Sequence, residues 1–124
     1  MRKKFLKLED ITAYQIASIL GDYVWEIVSK WDIFAKKTIG SQFIRAIDSV
    51  AANIAEGFGR FHKKDKQKFY YNARGSLYES AHWCKKAYKR KLLTKKENEY
   101  IMERLRKLPK DINILIKLTG NLNI

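Results

Sequence analysis

Cysteine and proline are almost absent from this chain of 124 residues, which contains one of each, Cys84 and Pro109. A single cysteine excludes an internal disulfide and any zinc site built from several cysteines, and it fits a reducing compartment. No run of residues alternates apolar with polar side chains between turn residues, as a half-buried strand does. These absences favour an all-α protein.

Residues suited to catalysis or metal binding are also scarce. The two histidines, His62 and His82, are twenty residues apart, and the Glu-x-x-His pattern that di-iron bundles use twice occurs once, at Glu79 and His82. Cys84 falls on an apolar stripe, which is typical of a buried and unreactive thiol. The glycines near residue 58 lack the preceding strand of a phosphate-binding loop. We therefore expect no metal site, no cofactor and no enzymatic activity.

Long apolar runs are missing as well. Residues 11–28 are rich in apolar side chains, but Gln15, Asp22 and Glu26 interrupt them well short of a membrane span. The first residues, MRKKFLKL, are basic and lack the apolar stretch of a signal peptide. With 46% hydrophobic and 31% charged residues, the sequence predicts one domain over residues 1–124 in a soluble, cytoplasmic protein without a membrane partner.

Positive charge is concentrated in one part of the chain. The formal net charge is +13, from 26 basic and 13 acidic residues. Residues 1–8 carry +4, residues 9–59 carry −3, residues 60–91 carry +9 and residues 92–124 carry +3. A general enrichment in lysine would spread charge over all surfaces, whereas clustering of this kind indicates a face that meets a polyanion, most often nucleic acid.

Apolar residues recur at three- and four-residue spacing in four segments, which predicts helices over residues 10–31, 41–56, 65–92 and 95–119. Asp10 and Asp65 are suitable N-caps for the first and third helices. Thr94 and Glu97 form a capping box, a reciprocal pair of hydrogen bonds that starts the fourth. Pro109 removes a backbone hydrogen bond inside that last helix, so we expect a kink or a break there.

Each predicted helix has one apolar stripe. The stripes comprise Ile16, Leu20, Tyr23, Ile27 and Trp31; Phe43, Ile47, Val50, Ile54 and Phe58; Tyr70, Ala73, Leu77, Ala81, Cys84 and Tyr88; and Ile101, Leu105, Leu108, Ile112 and Leu115. Residues 32–40 form a polar connection between the first two helices. Short connections between amphipathic helices favour an antiparallel up-down-up-down four-helix bundle.

The predicted third helix carries basic and aromatic side chains opposite its apolar stripe. A helical projection gathers most of them on one face, and the candidate nucleic-acid contacts are Lys63, Lys64, Lys68, Tyr71, Tyr78, His82, Lys85, Lys86, Lys89 and Arg90. Lysines bind phosphates as mobile point charges, and exposed tyrosines stack on unpaired bases. A second interpretation is that the tyrosines pack against another subunit while the lysines are only solvated.

The segment SVAANIAEGFGR, residues 49–60, combines small residues with polar ones. Its alanines allow another backbone to approach, and Gly57 and Gly59 can adopt the left-handed dihedrals that end a helix. Glycine inside a helix, as at Gly75, suggests close approach by another backbone. The polar residues here favour an ion-pair or hydrogen-bond network that fixes the turn between the second and third helices, or subunit contacts, and a ligand-binding role is the alternative. The set is Asn53, Glu56, Gly57, Arg60, Arg74, Gly75, Ser76 and Glu79.

SVAANIAEGFGR, followed by FYYNARGSLYES, resembles the family of four-helix bundle proteins encoded in intervening sequences of 23S ribosomal RNA. The chain is also similar to the accessory protein of diversity-generating retroelements, which partners a reverse transcriptase. The resemblance implies a ring-like homopentamer with basic residues available to nucleic acid and without catalytic residues. The family's motif positions are matched by Asn53, Glu56, Gly57, Arg74, Gly75 and Ser76, while Gly40 stands where a hydroxyl-bearing cap is expected.

Two functions remain open at this point. The first is a non-enzymatic oligomeric bundle that binds RNA or DNA through its basic surface with little sequence specificity. The second is a protein interaction scaffold or accessory subunit, for example of a reverse transcriptase, in which the basic face steers a protein partner.

Overall fold

The computed structural model describes residues 6–121. Four long helices fill most of this stretch: α1 is Thr12–Val28, α2 is Ser41–Gly59, α3 is Lys63–Lys89 and α4 is Lys95–Asn121. A 3₁₀ turn, Leu8–Asp10, precedes α1, and residues 6–121 contain no strand. The predicted all-α class with four helices is therefore confirmed. The first five residues of the basic N-terminal segment lie outside the described part of the chain.

The helices contact one another in cyclic order: α1 packs on α2, α2 on α3, α3 on α4, and α4 on α1. The core lies between them. The predicted stripes of α2 and α4 are confirmed, with Phe58 and Leu115 half-buried at their ends. The buried members are Phe43, Ile47, Val50 and Ile54 on α2, and Ile101, Leu105, Leu108 and Ile112 on α4.

The predicted stripe of α1 is confirmed as core-facing, but most of it lies at the edge of the core, where Ile16, Tyr23, Ile27 and Trp31 pack against the buried residues. Of its five residues only Leu20 is buried, and the other four are half-buried. The buried side of α1 is instead formed mainly by small residues, namely Ala13, Ala17, Gly21, Val24 and Val28. Small residues allow α2 to approach closely, because a Cβ added at Gly21 would lie 2.7 Å from Asp48 Oδ1.

On α3 the stripe is confirmed except at two positions. Tyr88 is exposed and Ala81 is half-buried, whereas Ser80 and Ala87 are buried. Ser80 is tolerated in the core because its hydroxyl donates a hydrogen bond of 2.7 Å to the Ser76 carbonyl.

The predicted caps at Asp10 and Asp65 are wrong. The Asp10 carboxylate accepts a hydrogen bond from the Lys7 amide within the 3₁₀ turn, and α1 begins two residues later without a side-chain cap. Asp65 lies inside the first turn of α3, where its negative charge interacts favourably with the positive end of the helix dipole. The capping box of α4 is confirmed, with hydrogen bonds of 2.9 and 3.1 Å between Thr94 and Glu97.

The segment 32–40 is helical rather than a polar connection. The Asp32 carboxylate accepts a hydrogen bond from the Ala35 amide at 2.9 Å and so caps a short α-helical turn, Ile33–Ala35. A π-helical turn, Lys36–Gly40, then runs directly into α2. Because the helical hydrogen bonds continue through this junction, α2 needs no hydroxyl-bearing residue at Gly40.

The helix ends also differ from the prediction. Among residues 6–121 no glycine has a positive φ, so Gly57 and Gly59 do not end α2 by a left-handed turn. A left-handed conformation occurs instead at Lys91, just after α3, with a φ of 63°. The Lys91 and Leu92 amides donate to the carbonyls of Tyr88 and Ala87, the two hydrogen bonds of a Schellman motif.

Pro109 does not break α4, which continues to Asn121. The proline leaves one carbonyl in the preceding turn without its helical partner. Buried Leu105, Leu108 and Ile112 hold the helix to the core on both sides of the proline, and their packing outweighs the loss of one hydrogen bond.

Candidate nucleic-acid interface

Gly57 sets the distance between α2 and α3. A Cβ added there would lie 2.7 and 2.9 Å from ring atoms of Tyr70 and 3.1 Å from the Lys66 carbonyl oxygen. Tyr70 is itself buried, so its ring cannot move aside into solvent. Gly57 is therefore required for close packing rather than for an unusual dihedral, and it fixes α3 relative to the rest of the bundle.

Lys66, which the sequence analysis did not single out, caps the end of α2. Its Nζ donates hydrogen bonds to the carbonyl oxygens of Phe58 at 2.8 Å and Gly57 at 3.4 Å. Both carbonyls lie in the last turn of α2, where acceptors run short of helical donors, and the Gly57 carbonyl also accepts a hydrogen bond of 3.2 Å from the Arg60 amide. Partial burial lowers the pKa of the Lys66 ammonium. The signal in the sequence is that Lys66 falls beside Tyr70 on the apolar side of α3, where a lysine is expected to reach a backbone acceptor.

We predict that Lys66→Met weakens the fold while preserving its shape. Methionine retains most of the apolar stem but leaves the Phe58 carbonyl without this donor and the Gly57 carbonyl with the Arg60 amide alone, which costs about 1–2 kcal/mol of unfolding free energy. Urea unfolding followed by circular dichroism measures this loss. Lys68→Met is the matched control, because Lys68 is exposed and donates no hydrogen bond among the described residues. Equal stability of both variants would contradict the capping role.

The predicted turn network is only partly present within the chain. Glu56 and Arg60 form an ion pair of 2.9 Å along α2, and the Arg60 guanidinium lies 4.7 Å from the centre of the Phe69 ring on α3. Both charged side chains are about half exposed, so the pair contributes little stability. Asn53 donates to the Ser49 carbonyl of its own helix at 2.8 Å. Asn53 therefore does not join α2 to α3.

The motif residues of α3 have separate environments. Arg74 donates a hydrogen bond of 2.8 Å to Asn113 Oδ1 on α4, and its guanidinium lies 4.9 Å from the centre of the Tyr71 ring. Glu79 accepts a hydrogen bond of 3.4 Å from Trp83 Nε1, and the Ser76 carbonyl accepts the bond from Ser80. Gly75 is exposed, and a Cβ added to it would meet no heavy atom within 4 Å.

The predicted contact residues of α3 form one solvent-facing strip, which we call the α3 surface. Tyr71 and Tyr78 are 49% and 68% exposed, too much for side chains that the chain itself needs in its core. Lys63 and Lys86 are half-buried at its margins. The exposed members are Lys64, Lys68, Tyr71, Tyr78, His82, Lys85 and Lys89, and Arg90 follows at the end of the helix.

The charges of the α3 surface are not neutralised inside the chain. The ion pairs found within residues 6–121 are Glu56–Arg60 and Glu103–Lys107, and neither includes a member of the α3 surface. The carboxylates on the same helix are Asp65, in its first turn, and Glu79, which is bonded to Trp83. The lysines thus keep their full attraction for an external polyanion.

The buried thiol and the remaining titratable groups form no reactive cluster. Burial raises the pKa of Cys84 to about 12, and its Sγ donates to Asn98 Oδ1 at 3.4 Å. The predicted burial of this thiol is confirmed. In the described part of the chain no three histidine, cysteine or acidic side chains lie close enough together to hold a metal ion. None of the helices there has the length and apolar character needed to cross a membrane.

A second exposed feature lies between α1 and the start of α2. A groove of about 420 Å³ is lined by Trp25, Val28, Ser29, Lys36, Ser41, Ile44 and Arg45. Trp25 is 57% exposed, and Ile33 and Phe34, in the short helical turn that precedes Lys36 in the chain, are 69% and 76% exposed. An apolar groove and large apolar side chains at this exposure are typical of a surface that contacts another protein chain.

Comparison with known proteins gives a family and a fold. Residues 9–114 match the family described as 23S rRNA-intervening sequence protein. A search of curated proteins found no match. The structure is similar to the crystal structure of a protein of unknown function from the S23 ribosomal protein family of Bacteroides thetaiotaomicron, with a TM-score of 0.67 and 17% identity. That match covers 82% of this chain and 98% of the other.

Proposed function

The chain belongs to the 23S rRNA-intervening sequence protein family, as its motifs predicted, and we propose that it is a non-enzymatic, cytoplasmic protein that binds RNA or DNA through the α3 surface. Binding on this proposal comes mainly from lysine–phosphate contacts and reads little sequence. Lysine is a mobile point charge, and Arg90, at the end of the α3 surface, is its single member with the paired, fixed donors that distinguish one base from another.

The observation that carries the proposal is the uncompensated charge of the α3 surface. Residues 60–91 hold +9 of the chain's net charge, and the exposed lysines of α3 have no carboxylate partner within 4 Å among the described residues. Exposed tyrosines between them add flat groups on which unpaired bases stack. Such a surface attracts phosphates at low cost, because no internal ion pair has to be broken.

The experiment is affinity capture of the tagged protein from one lysate divided into two halves, one treated with nuclease. We expect nucleic acid to copurify from the untreated half and to be lost after treatment, with no protein retained at equal stoichiometry. A protein partner that survives nuclease at one copy per chain would contradict the proposal and favour the scaffold function.

The scaffold function has its own supporting observation. The groove beside Trp25 combines apolar walls with the cationic Lys36 and Arg45, and a protein segment with apolar and acidic side chains would fit it. A reverse transcriptase or another acidic protein is a candidate partner for this function. The basic surface would then speed and orient the encounter.

We further propose that the bundle is antiparallel and that copies of it assemble into a ring, with five subunits as the family resemblance implies. The start of α3 contacts the end of α4, where Gln67 Nε2 donates a hydrogen bond of 3.3 Å to the Ile116 carbonyl. The end of α3 contacts the start of α4, where Cys84 donates to Asn98. The exposed Trp25, Ile33 and Phe34 supply apolar area for contact between copies.

We expect multi-angle light scattering at micromolar concentration to give the mass of an oligomer. Phe34→Lys should reduce that mass, because it replaces the most exposed of these three apolar side chains with a charged one. Ile114→Lys is the control, since Ile114 is an exposed apolar residue on α4 away from the groove. A monomeric wild-type protein would refute the assembly.

A further inference from the structure

Gly75 lies inside α3, where glycine is the poorest helix former after proline. Three other glycines of the chain are required by their surroundings, since a Cβ at Gly21, Gly40 or Gly57 would lie 2.7–2.8 Å from a neighbouring atom. At Gly75 a Cβ would meet no heavy atom within 4 Å. Alanine would therefore fit this position and strengthen the helix, so packing within the chain does not account for glycine here.

The surroundings of Gly75 indicate what its bare backbone is for. Tyr71 precedes it by one turn and Tyr78 follows by one turn, so the backbone positions of the two exposed tyrosines are about 10 Å apart along the helix axis. The Tyr71 ring is held against the Arg74 guanidinium at 4.9 Å, and Arg74 is in turn bonded to Asn113 at 2.8 Å. Tyr71 is thus a positioned flat surface rather than a freely rotating side chain.

The charge around Gly75 decides between occupants. Lys68 and His82 lie two turns before and after it on the same exposed side, and Glu79, at the margin, is engaged by Trp83. Two α3 surfaces facing each other across a two-fold axis would repel, because both are basic. A polyanion with flat groups, which is a single-stranded nucleic acid, matches both the charge and the two exposed rings.

We propose that a nucleic-acid single strand crosses α3 at Gly75, with bases stacked on Tyr71 and Tyr78. The missing side chain lets the sugar–phosphate backbone lie directly on the helix between the two rings. This inference rests on the proposed function and deepens it, because it names the place on the α3 surface where the strand sits and the unpaired form that it takes.

The test compares Gly75→Leu and Gly75→Ala with wild type, by fluorescence anisotropy with a labelled oligouridine. We expect Gly75→Leu to weaken binding roughly tenfold or more, the loss associated with one stacked base. Gly75→Ala should raise the melting temperature by about 3–5 °C and still bind more weakly than wild type. Tyr78→Leu, at an exposed site, should weaken binding without lowering the melting temperature.

Gly59→Leu is the matched control, since Gly59 also has no heavy atom near its Cβ position but belongs to α2. Unchanged affinity in both Gly75→Leu and Tyr78→Leu would overturn the inference, as would an equal affinity for duplex RNA. A changed oligomer mass in Gly75→Leu with unchanged affinity would assign the glycine to a contact between copies instead. Failure of the proposed function is a separate result, because wild type itself would then show no salt-dependent binding.

Discussion

Replacing Gly57 with leucine should cost the protein at least about 3 kcal/mol of its free energy of unfolding, a large part of the total for a small domain. The first added carbon would lie 2.7 Å from the Tyr70 ring and 3.1 Å from the Lys66 carbonyl oxygen, and leucine adds three further carbons at this buried position. The helices must separate, which also exposes Ile54 and Leu77 from the core. Urea unfolding monitored by circular dichroism measures the effect.

Gly59→Leu again provides the control. It makes the same chemical change two residues later in the same helix, but it projects into open space. We expect its stability to stay within about 0.5 kcal/mol of wild type or to rise, because leucine is the better helix former. Gly57→Ala should be destabilised less than Gly57→Leu. A Gly57→Leu variant as stable as wild type would show that α2 and α3 are not held together at this point.

Replacing Lys85, Lys86 and Lys89 with glutamate should weaken nucleic-acid binding on the order of 100- to 1,000-fold at low salt. Counterion release makes each phosphate contact more favourable as the salt concentration falls. The fold-losses in affinity from the three lost contacts therefore multiply. The helical signal and the oligomer mass should be retained, because Lys85 and Lys89 are exposed and Lys86 lies at the margin of the core. Fluorescence anisotropy with labelled RNA measures the affinity.

Net charge alone also attracts nucleic acid, so the triple variant needs a control of equal charge. The control replaces Lys37, Lys110 and Lys117, three exposed lysines outside α3, with glutamate. We expect the loss of affinity in this variant to be several-fold smaller than the loss in the α3 variant. Similar losses in the two variants would show that binding is spread over the whole molecule rather than directed to the α3 surface.

Much of the fold follows from the sequence because three of the four helices have distinct apolar stripes. Helices α2 and α4 bury the predicted residues, and the Thr94–Glu97 pair marks the start of α4 as expected. On α1, however, apolar side chains occupy almost every side. Periodicity therefore does not determine which of them face the core. The buried side of α1 is determined by small residues such as Ala17 and Gly21, because they let α2 approach closely.

Other differences arise because several local signals have more than one meaning. Asp32 is a good N-cap, and this signal identifies the helical turn that the sequence analysis treated as a polar connection. Gly57 was interpreted as a source of left-handed dihedrals, whereas the tertiary contact with Tyr70 shows a need for space. A contact between helices cannot be read from one segment alone, and for the same reason the role of Lys66 was missed.

The α3 surface itself was predictable, since a helical projection needs only the sequence and the burial of α3 agrees with it at most positions. What the sequence could not show is that its lysines lack acidic partners on neighbouring helices, or that the space around Gly75 is empty. Both facts depend on how α2 and α4 pack around α3.

The most direct test of the account is the affinity of wild-type protein for single-stranded RNA as a function of salt. If several lysines of the α3 surface contact phosphates, the logarithm of the binding constant should fall linearly with the logarithm of salt concentration. The slope should be about −0.7 per phosphate contact, and its magnitude should drop by about 2 in the Lys85/Lys86/Lys89→Glu variant. Affinity that does not change with salt, or no binding at low salt, would contradict the account.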